Sequence, residues 1–152
     1  MSDSTLIQFL EPGQSAEVMN RRQTETFLAE GAISAGDVVA LDTSKSGADR
    51  VLFVAEAGAV ATGNPLAIGV ATETVSGSAA DPAKVKVVVS GYAANVDATA
   101  GTILIGAALT VRAAGEVDTV AATDTAGLFA VALEAKGATV ANRVAIHIFK
   151  RF

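Results

Sequence analysis

Short runs in which apolar and polar residues alternate follow one another along most of the chain. In the segment 84–90, valine fills the odd positions, while Lys84, Lys86 and Ser90 point the other way. The segment 143–148 repeats this pattern. A period of two residues is that of a β-strand with one buried face. No window combines a 3.6-residue apolar period with caps over the length that a stable helix needs, so helix is not expected in the body of the chain.

The alternating runs predict nine short strands in the body of the chain and one near the N-terminus. Glycine and alanine separate the runs at a spacing typical of β-sandwiches and β-barrels. The predicted strands are Glu25–Leu28, Val38–Asp42, Val51–Ala55, Leu66–Thr72, Lys84–Ser90, Ile103–Ile105, Leu109–Arg112, Val117–Ala121, Leu128–Leu133 and Arg143–Phe149.

The same order of four runs occurs twice in the sequence. The first copy comprises residues 35–41, 50–54, 68–73 and 85–89, and the second comprises residues 106–111, 116–120, 130–134 and 144–148. Two copies are too few for a solenoid, so the echo predicts a duplicated β-unit that closes one barrel or sandwich. The predicted fold is therefore all-β: a compact β-barrel or sandwich, either jelly-roll-like or a tandem duplicated β-unit, with an extended N-terminal arm.

The composition changes near residue 31, where a polar segment with isolated apolar residues gives way to the strand runs. This predicts an extended arm over residues 1–30 and a single β-domain over residues 31–152. Two interpretations of the arm stay open: a disordered leader without a role, or a segment that folds onto a partner by adding backbone hydrogen bonds to a sheet edge. If the arm binds, the candidate contact residues are Phe9, Leu10, Arg21, Arg22, Phe27 and Leu28.

Composition limits the core and the partners. The 152 residues suit one domain, and 51% hydrophobic against 18% charged residues excludes general disorder. With no Trp, one Tyr and six Phe, small and β-branched side chains must build the core, which disfavours a deep cofactor pocket. The net charge of −5 with scattered Lys and Arg does not suit nucleic-acid binding. No segment reaches the roughly 20 apolar residues that span a bilayer, and the N-terminus has no basic secretory region, so a soluble protein is expected.

Candidate catalytic and metal-binding residues are few. The chain has no cysteine and one histidine, His147, with no second ligand nearby in sequence, so neither a metal site nor a catalytic triad is predicted. We expect His147 to face solvent or an interface. The serines lack the G-x-S-x-G context of a nucleophile, and the glycine-rich segments lack the Lys-Ser/Thr that follows a phosphate-binding loop. The sequence therefore predicts no enzymatic activity, no cofactor and no metal.

Aspartates and lysines near turns have two interpretations each. The spacing of Asp37, Asp42 and Asp49 does not match a calcium-binding loop, so ordinary turn chemistry is favoured. Lys45 and Lys136 could mark the hairpin of a swinging-arm carrier domain, but neither has the acidic or methionine neighbours that such a lysine carries. Neither set is predicted to be a site.

Several segments resemble the decoration proteins, also called cement or head-stabilising proteins, that stud the heads of tailed phages. The resemblance rests on residues 31–39, 68–71, 84–91 and 100–109, and covers residues 30–149. It implies a compact β-rich body, a homotrimer at local three-fold positions on the outer capsid surface of the virion, and an arm lying along the major capsid protein. Such a protein is made in the host cytoplasm. The chain departs from the smallest lambda-type members in its length and its apparent duplication.

Two other classes of binding protein remain as alternatives. One is a β-module of a phage tail, baseplate or fibre. The other is a carbohydrate-binding module, which the sequence suits poorly because such sites stack sugars on exposed aromatic rings, and only Tyr92 and a few Phe are available.

Overall fold

Strands account for nearly all of the regular structure. The computed structural model describes residues 22–58, 64–121, 128–138 and 142–149, and these contain no α-helix. The strands are β1 (Arg22–Ala29), β2 (Ala32–Ile33), β3 (Val38–Leu41), β4 (Val54–Glu56), β5 (Ala67–Ala71), β6 (Val75–Ser76), β7 (Ala83–Asp97), β8 (Ala108–Val111), β9 (Val117–Thr119), β10 (Ala130–Ala132) and β11 (Arg143–Ile148), with 3₁₀-helices at Gly47–Val51 and Ala113–Gly115. The prediction of an all-β protein is confirmed.

One curled antiparallel sheet contains nine of these strands. Its order is β4-β3-β5-β7-β11-β10-β8-β9, with β1 also paired to β7, while β2 and β6 form a separate ladder. The first four strands of this order mirror the last four. Strand β3 corresponds to β8, β4 to β9, β5 to β10 and β7 to β11. The predicted tandem duplication is therefore confirmed by the topology.

The two copies agree in register as well as in order. Three ladder pairs of the first copy have a counterpart in the second. Val39–Glu56 corresponds to Leu109–Thr119, and Val39–Gly69 corresponds to Leu109–Ala130. Ala71–Val87 corresponds to Ala132–Ile146. The turns also match, since Gly36 N donates to Ala71 O at 2.9 Å and Gly106 N donates to Ala132 O at 2.8 Å. Residues can therefore be compared between the copies position by position, and such pairs are called equivalent below.

The long strand β7 joins the two copies at Gly91. There φ is +90°, a conformation that glycine adopts without steric cost. Strand β1 begins opposite Gly91 and β11 ends opposite it, so the two lie end to end along β7. The second part of β7, residues 91–97, pairs with β11. In the same way, β1 pairs with the first part of β7. We call residues 22–90 the first unit and residues 91–149 the second unit.

Each unit curls back toward its own edge. In the first unit, a parallel bridge joins Leu28 at the end of β1 to Phe53 beside β4. In the second unit, a parallel bridge joins Ala98 after β7 to Val117 in β9. Residues 22–29 of the predicted arm thus form the closing strand of the first unit, around the short strand predicted at Glu25–Leu28.

The buried side chains form two clusters. The interior of the first unit holds one of them, including Val39, Ile68 and Val87. The second cluster joins the interior of the second unit, where Phe129 is the largest fully buried side chain, to residues such as Val70 on the outer face of the first unit. The first unit is therefore buried on both faces of its sheet, because the second unit covers the outer one.

The structure contains the short strands β2 and β6, which were not predicted, and differs most from the predicted strands at three other places. The strand predicted from Val51 begins at Val54, because Gly47–Val51 is a 3₁₀-helix. The strand predicted at Ile103–Ile105 is one isolated bridge at Ile103. The strand predicted to end at Ser90 continues to Asp97, because the bend at Gly91 carries the chain from one unit into the other.

Candidate interaction surface

Three of the predicted contact residues lie on β1. Arg22 is exposed at the start of the strand, whereas Phe27 is half-buried against the core of the first unit. Leu28 is also half-buried, and its N–H donates to Leu52 O at 2.9 Å. Phe27 and Leu28 therefore support the closure of the first unit, and of the three only Arg22 is exposed. The other three, Phe9, Leu10 and Arg21, lie outside the described residues.

Arg22 borders a cleft of about 220 Å³ where the two units meet. Arg143 lies on the same cleft and holds the units together: its Nε donates to Asp97 Oδ1 at 2.8 Å and its Nη2 to Ala35 O at 3.2 Å. The Ala35 carbonyl belongs to the first unit, and Asp97 and Arg143 belong to the second. The guanidinium of Arg143 thus serves the joint between the units.

A buried carboxyl group, that of Asp37, lies beside this joint. Its Oδ2 accepts a hydrogen bond from Ser34 N at 2.7 Å, so it shapes the turn before β3. Burial raises the pKa of Asp37 from 3.8 to about 6, and a hydrogen bond with Asp97 and the nearby charge of Glu56 act in the same direction, against the lowering effect of the Ser34 N–H. Ionisation of Asp37 is therefore less favourable in the folded protein than in the unfolded chain.

The other two aspartates of the suspected calcium loop also serve turns. Asp42 Oδ1 accepts from Ser44 N at 2.9 Å, and hydrogen bonds from Ser44 lower the pKa of Asp42. The Asp49 carbonyl accepts from Leu52 N at 3.0 Å within the first 3₁₀-helix. The prediction of turn chemistry is confirmed for the side chains of Asp37 and Asp42, whereas Asp49 contributes its backbone carbonyl. Within the described ranges, no group of three or more His, Cys, Asp or Glu side chains could hold a metal ion.

The two lysines considered as carrier residues both form contacts within the protein. Lys136 is buried, and its Nζ donates to Thr99 O at 2.8 Å and to Gly101 O at 2.9 Å. Lys45 forms an ion pair with Glu30. Neither ammonium group stands free at a hairpin tip, as a swinging-arm carrier would need. In the part of the chain that the structure describes, no helix is long and apolar enough to cross a membrane.

His147 lies on the outer face of the second unit. It is half-buried and meets the ring of Phe149 edge to face, with 5.8 Å between the ring centroids. Its ladder partners are Val131 and Tyr92. This setting is that of a histidine on a partly apolar surface.

Large apolar side chains are exposed at nine of the described positions, and seven of them are grouped below into two surfaces by their place in the fold. The open face, on the second unit, consists of Leu104, Ile105, Val120, Leu128 and Leu133. The 3₁₀ tip, on the first unit, consists of Val51 and Leu52 at the end of the first 3₁₀-helix. Neither surface was predicted from the sequence, because each of these residues lies in a run that indicates an ordinary strand. The adjacent pair Leu104 and Ile105, which breaks the alternation, was the available signal.

The sequence matches no known family model and no curated protein. Among solved structures, the chain is similar to the head fibre gp8.5 N base of bacteriophage phi29, known from a crystal structure. The two share 19% sequence identity with a TM-score of 0.59, over 85% of this chain and 95% of that chain. The likeness shows that the two proteins share a fold over nearly all of the phage protein's N base.

Proposed function

We propose that this protein is a structural component of a phage virion, a decoration or cement protein that binds the outer surface of the head as a homotrimer. In this role it stabilises the lattice of the major capsid protein. The observation that carries the proposal is the fold shared with a phage head fibre base over 85% of this chain. The resemblance of residues 30–149 to decoration proteins points to the same part of the virion.

The character of the surface supports binding to protein rather than catalysis. The exposed apolar residues of the open face and the 3₁₀ tip offer contact area. The candidate carboxylates and lysines serve turns and the joint between the units. Repeated over a capsid lattice, weak contacts gain strength through avidity, so a lattice clamp needs no deep site. We assign the protein no catalytic role, cofactor or nucleic-acid partner, and a turnover abolished by His147→Ala would contradict this.

The test uses matching expanded heads that lack the protein. We expect the purified protein to co-sediment with these heads and to raise the temperature at which they release DNA. Heads that neither bind the protein nor gain resistance to heat would refute the proposal. Heads mixed with an unrelated acidic β-protein of similar size provide the control.

The role of the N-terminal segment is tested with a chain lacking residues 1–21. A deletion of residues 1–30 would also remove β1, which closes the first unit, and would confuse loss of binding with loss of fold. If the segment binds the major capsid protein through Phe9, Leu10 and Arg21, the shorter deletion abolishes head binding while the melting temperature stays unchanged. Full binding by the shortened chain would leave the described β-body as the binding part.

A second candidate function is the base of a head fibre, because the similar solved structure is itself described as the N base of such a fibre. The same experiment separates the two functions. A cement protein raises the heat resistance of heads, whereas a fibre base binds heads and leaves their heat resistance unchanged. Images of virions by electron microscopy would then show fibres anchored at the bound copies.

A further inference from the structure

The second unit covers the outer face of the first unit through its 3₁₀-helix. Gly115 N donates to Ala57 O at 3.0 Å. A Cβ atom on Gly115 would lie 3.1 Å from Asp37 Cβ and 3.2 Å from Glu56 Cγ, so the two backbones approach closely. Ala57 and Ala67, both on the covered face, are 0% exposed. Small residues on both sides permit this contact.

The turn before β3 completes the contact. Asp97 N donates to Gly36 O at 2.9 Å, and Arg143 reaches the neighbouring carbonyl of Ala35. A Cβ atom on Gly36 would lie 2.5 Å from Asn95 O. The equivalent Gly106 is exposed, and no described atom lies within 4 Å of the Cβ position there. The contact is therefore not reciprocal: the second unit covers the turn at Gly36, and the first unit does not cover the equivalent turn at Gly106.

Two residues of the open face, Val120 and Leu128, occupy positions whose counterparts in the first unit, Ala57 and Ala67, are covered. The counterparts of Leu104 and Leu133, which are Ser34 and Thr72, are exposed in the first unit. Counting from the matched turns and ladders, the equivalent pairs are Ser34 and Leu104, Ala35 and Ile105, Ala57 and Val120, Ala67 and Leu128, and Thr72 and Leu133. Leu104 and Ile105 are 67% and 70% exposed, and Leu128 is 44% exposed. The first unit builds the same turns and strands with small or polar residues, so the fold itself does not require these large apolar side chains.

The 3₁₀ tip of the first unit is the other half of the same contact. Val54 and Val117 pair alike with β3 and β8, so Leu52 is equivalent to Gly115, the residue that docks on Ala57. Val51 and Leu52 are both more than half exposed. Each chain thus carries an exposed apolar face on the second unit and, on the first unit, an exposed apolar tip in the place of the docking residue Gly115. Both surfaces are more apolar than their counterparts inside the chain, and the contact offered is one of side chains, since Leu52 N already donates to Asp49 O.

We infer that the open face of the second unit binds the 3₁₀ tip of the first unit of another copy of this chain. The association uses, between chains, surfaces equivalent to those that join the two units within one chain, with large apolar side chains in place of the small residues of the close contact. It is head to tail, because two different surfaces meet, and such contacts generate closed rings or open filaments. The inference gives the proposed homotrimer its interface and does not depend on binding to heads.

Two charged variants test this inference: Leu128→Asp on the open face and Leu52→Asp on the 3₁₀ tip. Wild-type protein is expected to form an oligomer by light scattering, and each variant alone to be a monomer of 15.2 kDa at the same concentration. An interface residue at the centre of a contact changes affinity by roughly tenfold or more when it is replaced. Ala80→Asp, at an exposed loop position outside both surfaces, is the matched control and should assemble as wild type.

An equimolar mixture of the two variants gives the decisive result. Each mixed pair has one intact interface, so a head-to-tail contact yields a dimer of twice the chain mass and nothing larger. A two-fold contact of the open face with itself would yield no such mixed dimer. A wild-type monomer at all concentrations, assembled single variants, or a mixture that stays monomeric would each overturn the inference. Circular dichroism confirms that the variants fold, and head binding, measured separately, reports on the proposed function.

Discussion

Replacing Asp37 by asparagine is expected to stabilise the protein at neutral pH and to have little effect in mild acid. The amide side chain would keep the acceptor for the N–H of Ser34 and could donate to Asp97, but it cannot carry the buried charge. The groups that face Asp37 are Asp97, which is held by Arg143, and Glu56. Both acidic neighbours oppose ionisation of Asp37, so the neutral amide fits the site better.

The magnitude follows from the pKa of Asp37, which folding raises from 3.8 to about 6. Because the folded protein holds this proton more tightly, the stabilisation is complete below about pH 4 and is lost as the pH rises through about 6. The difference in pKa corresponds to about 3 kcal/mol of unfolding free energy. For a chain of this size, that equals a rise in the melting temperature of roughly 6 to 12 °C for Asp37→Asn at neutral pH.

Urea unfolding followed by circular dichroism, at fixed protein concentration and a series of pH values, measures this effect. The free energies of wild type and Asp37→Asn are expected to agree near about pH 4 and to separate, in favour of the variant, by about pH 7. Asp42→Asn is the control of opposite sign, since the pKa of Asp42 is lowered and its ionised form stabilises the fold. A difference between wild type and Asp37→Asn that does not change with pH would refute the reasoning.

Three further predictions concern the fold. Gly69→Ala places a methyl group against the backbone of β7 and is expected to lower the unfolding free energy, measured in urea, by about 1 to 3 kcal/mol. The reverse change at the equivalent residue, Ala130→Gly, is expected to lower it by about 1 kcal/mol. Equal losses would contradict the close contact at Gly69. Lys136→Met leaves two inward-facing carbonyl groups without their donor, so the protein loses about 1 to 3 kcal/mol, and an unchanged melting temperature would argue against that role. Deletion of residues 1–30 abolishes cooperative thermal unfolding while deletion of residues 1–21 preserves it, and a cooperative transition in the longer deletion would show that β1 is dispensable.

The strands that the sequence predicts best are those with one purely β-branched face. In 84–90 and 143–148 the alternating residues face the interiors of the two units, so the pattern along the chain reports the burial directly. The duplication was also visible, because equivalent strands carry similar residues in both copies. Local patterns therefore sufficed for the fold class and for the order of the main strands.

The joint between the units could not be predicted in the same way. The continuation of β7 past Gly91 depends on pairing with β11, which lies far along the chain from it. Val88 breaks the alternation of its strand, and only the presence of the second unit explains why it is buried. Leu104 and Ile105 have the apolar character of a buried strand, yet they are exposed. Whether an outer face is covered is decided by distant parts of the chain, which local periodicity does not record.

Comparison of equivalent residues in the two units shows which residues the shared fold requires. Gly36 and Gly106 are glycine in both units, with φ of +101° and +79°, so the turn itself demands them and replacement of either is expected to destabilise the protein. Ser34 and Leu104 occupy equivalent places in those turns, yet one is polar and the other is a large, exposed apolar residue. Since the first unit folds with serine, Leu104→Ser is expected to leave the unfolding free energy unchanged and to weaken only the association between copies.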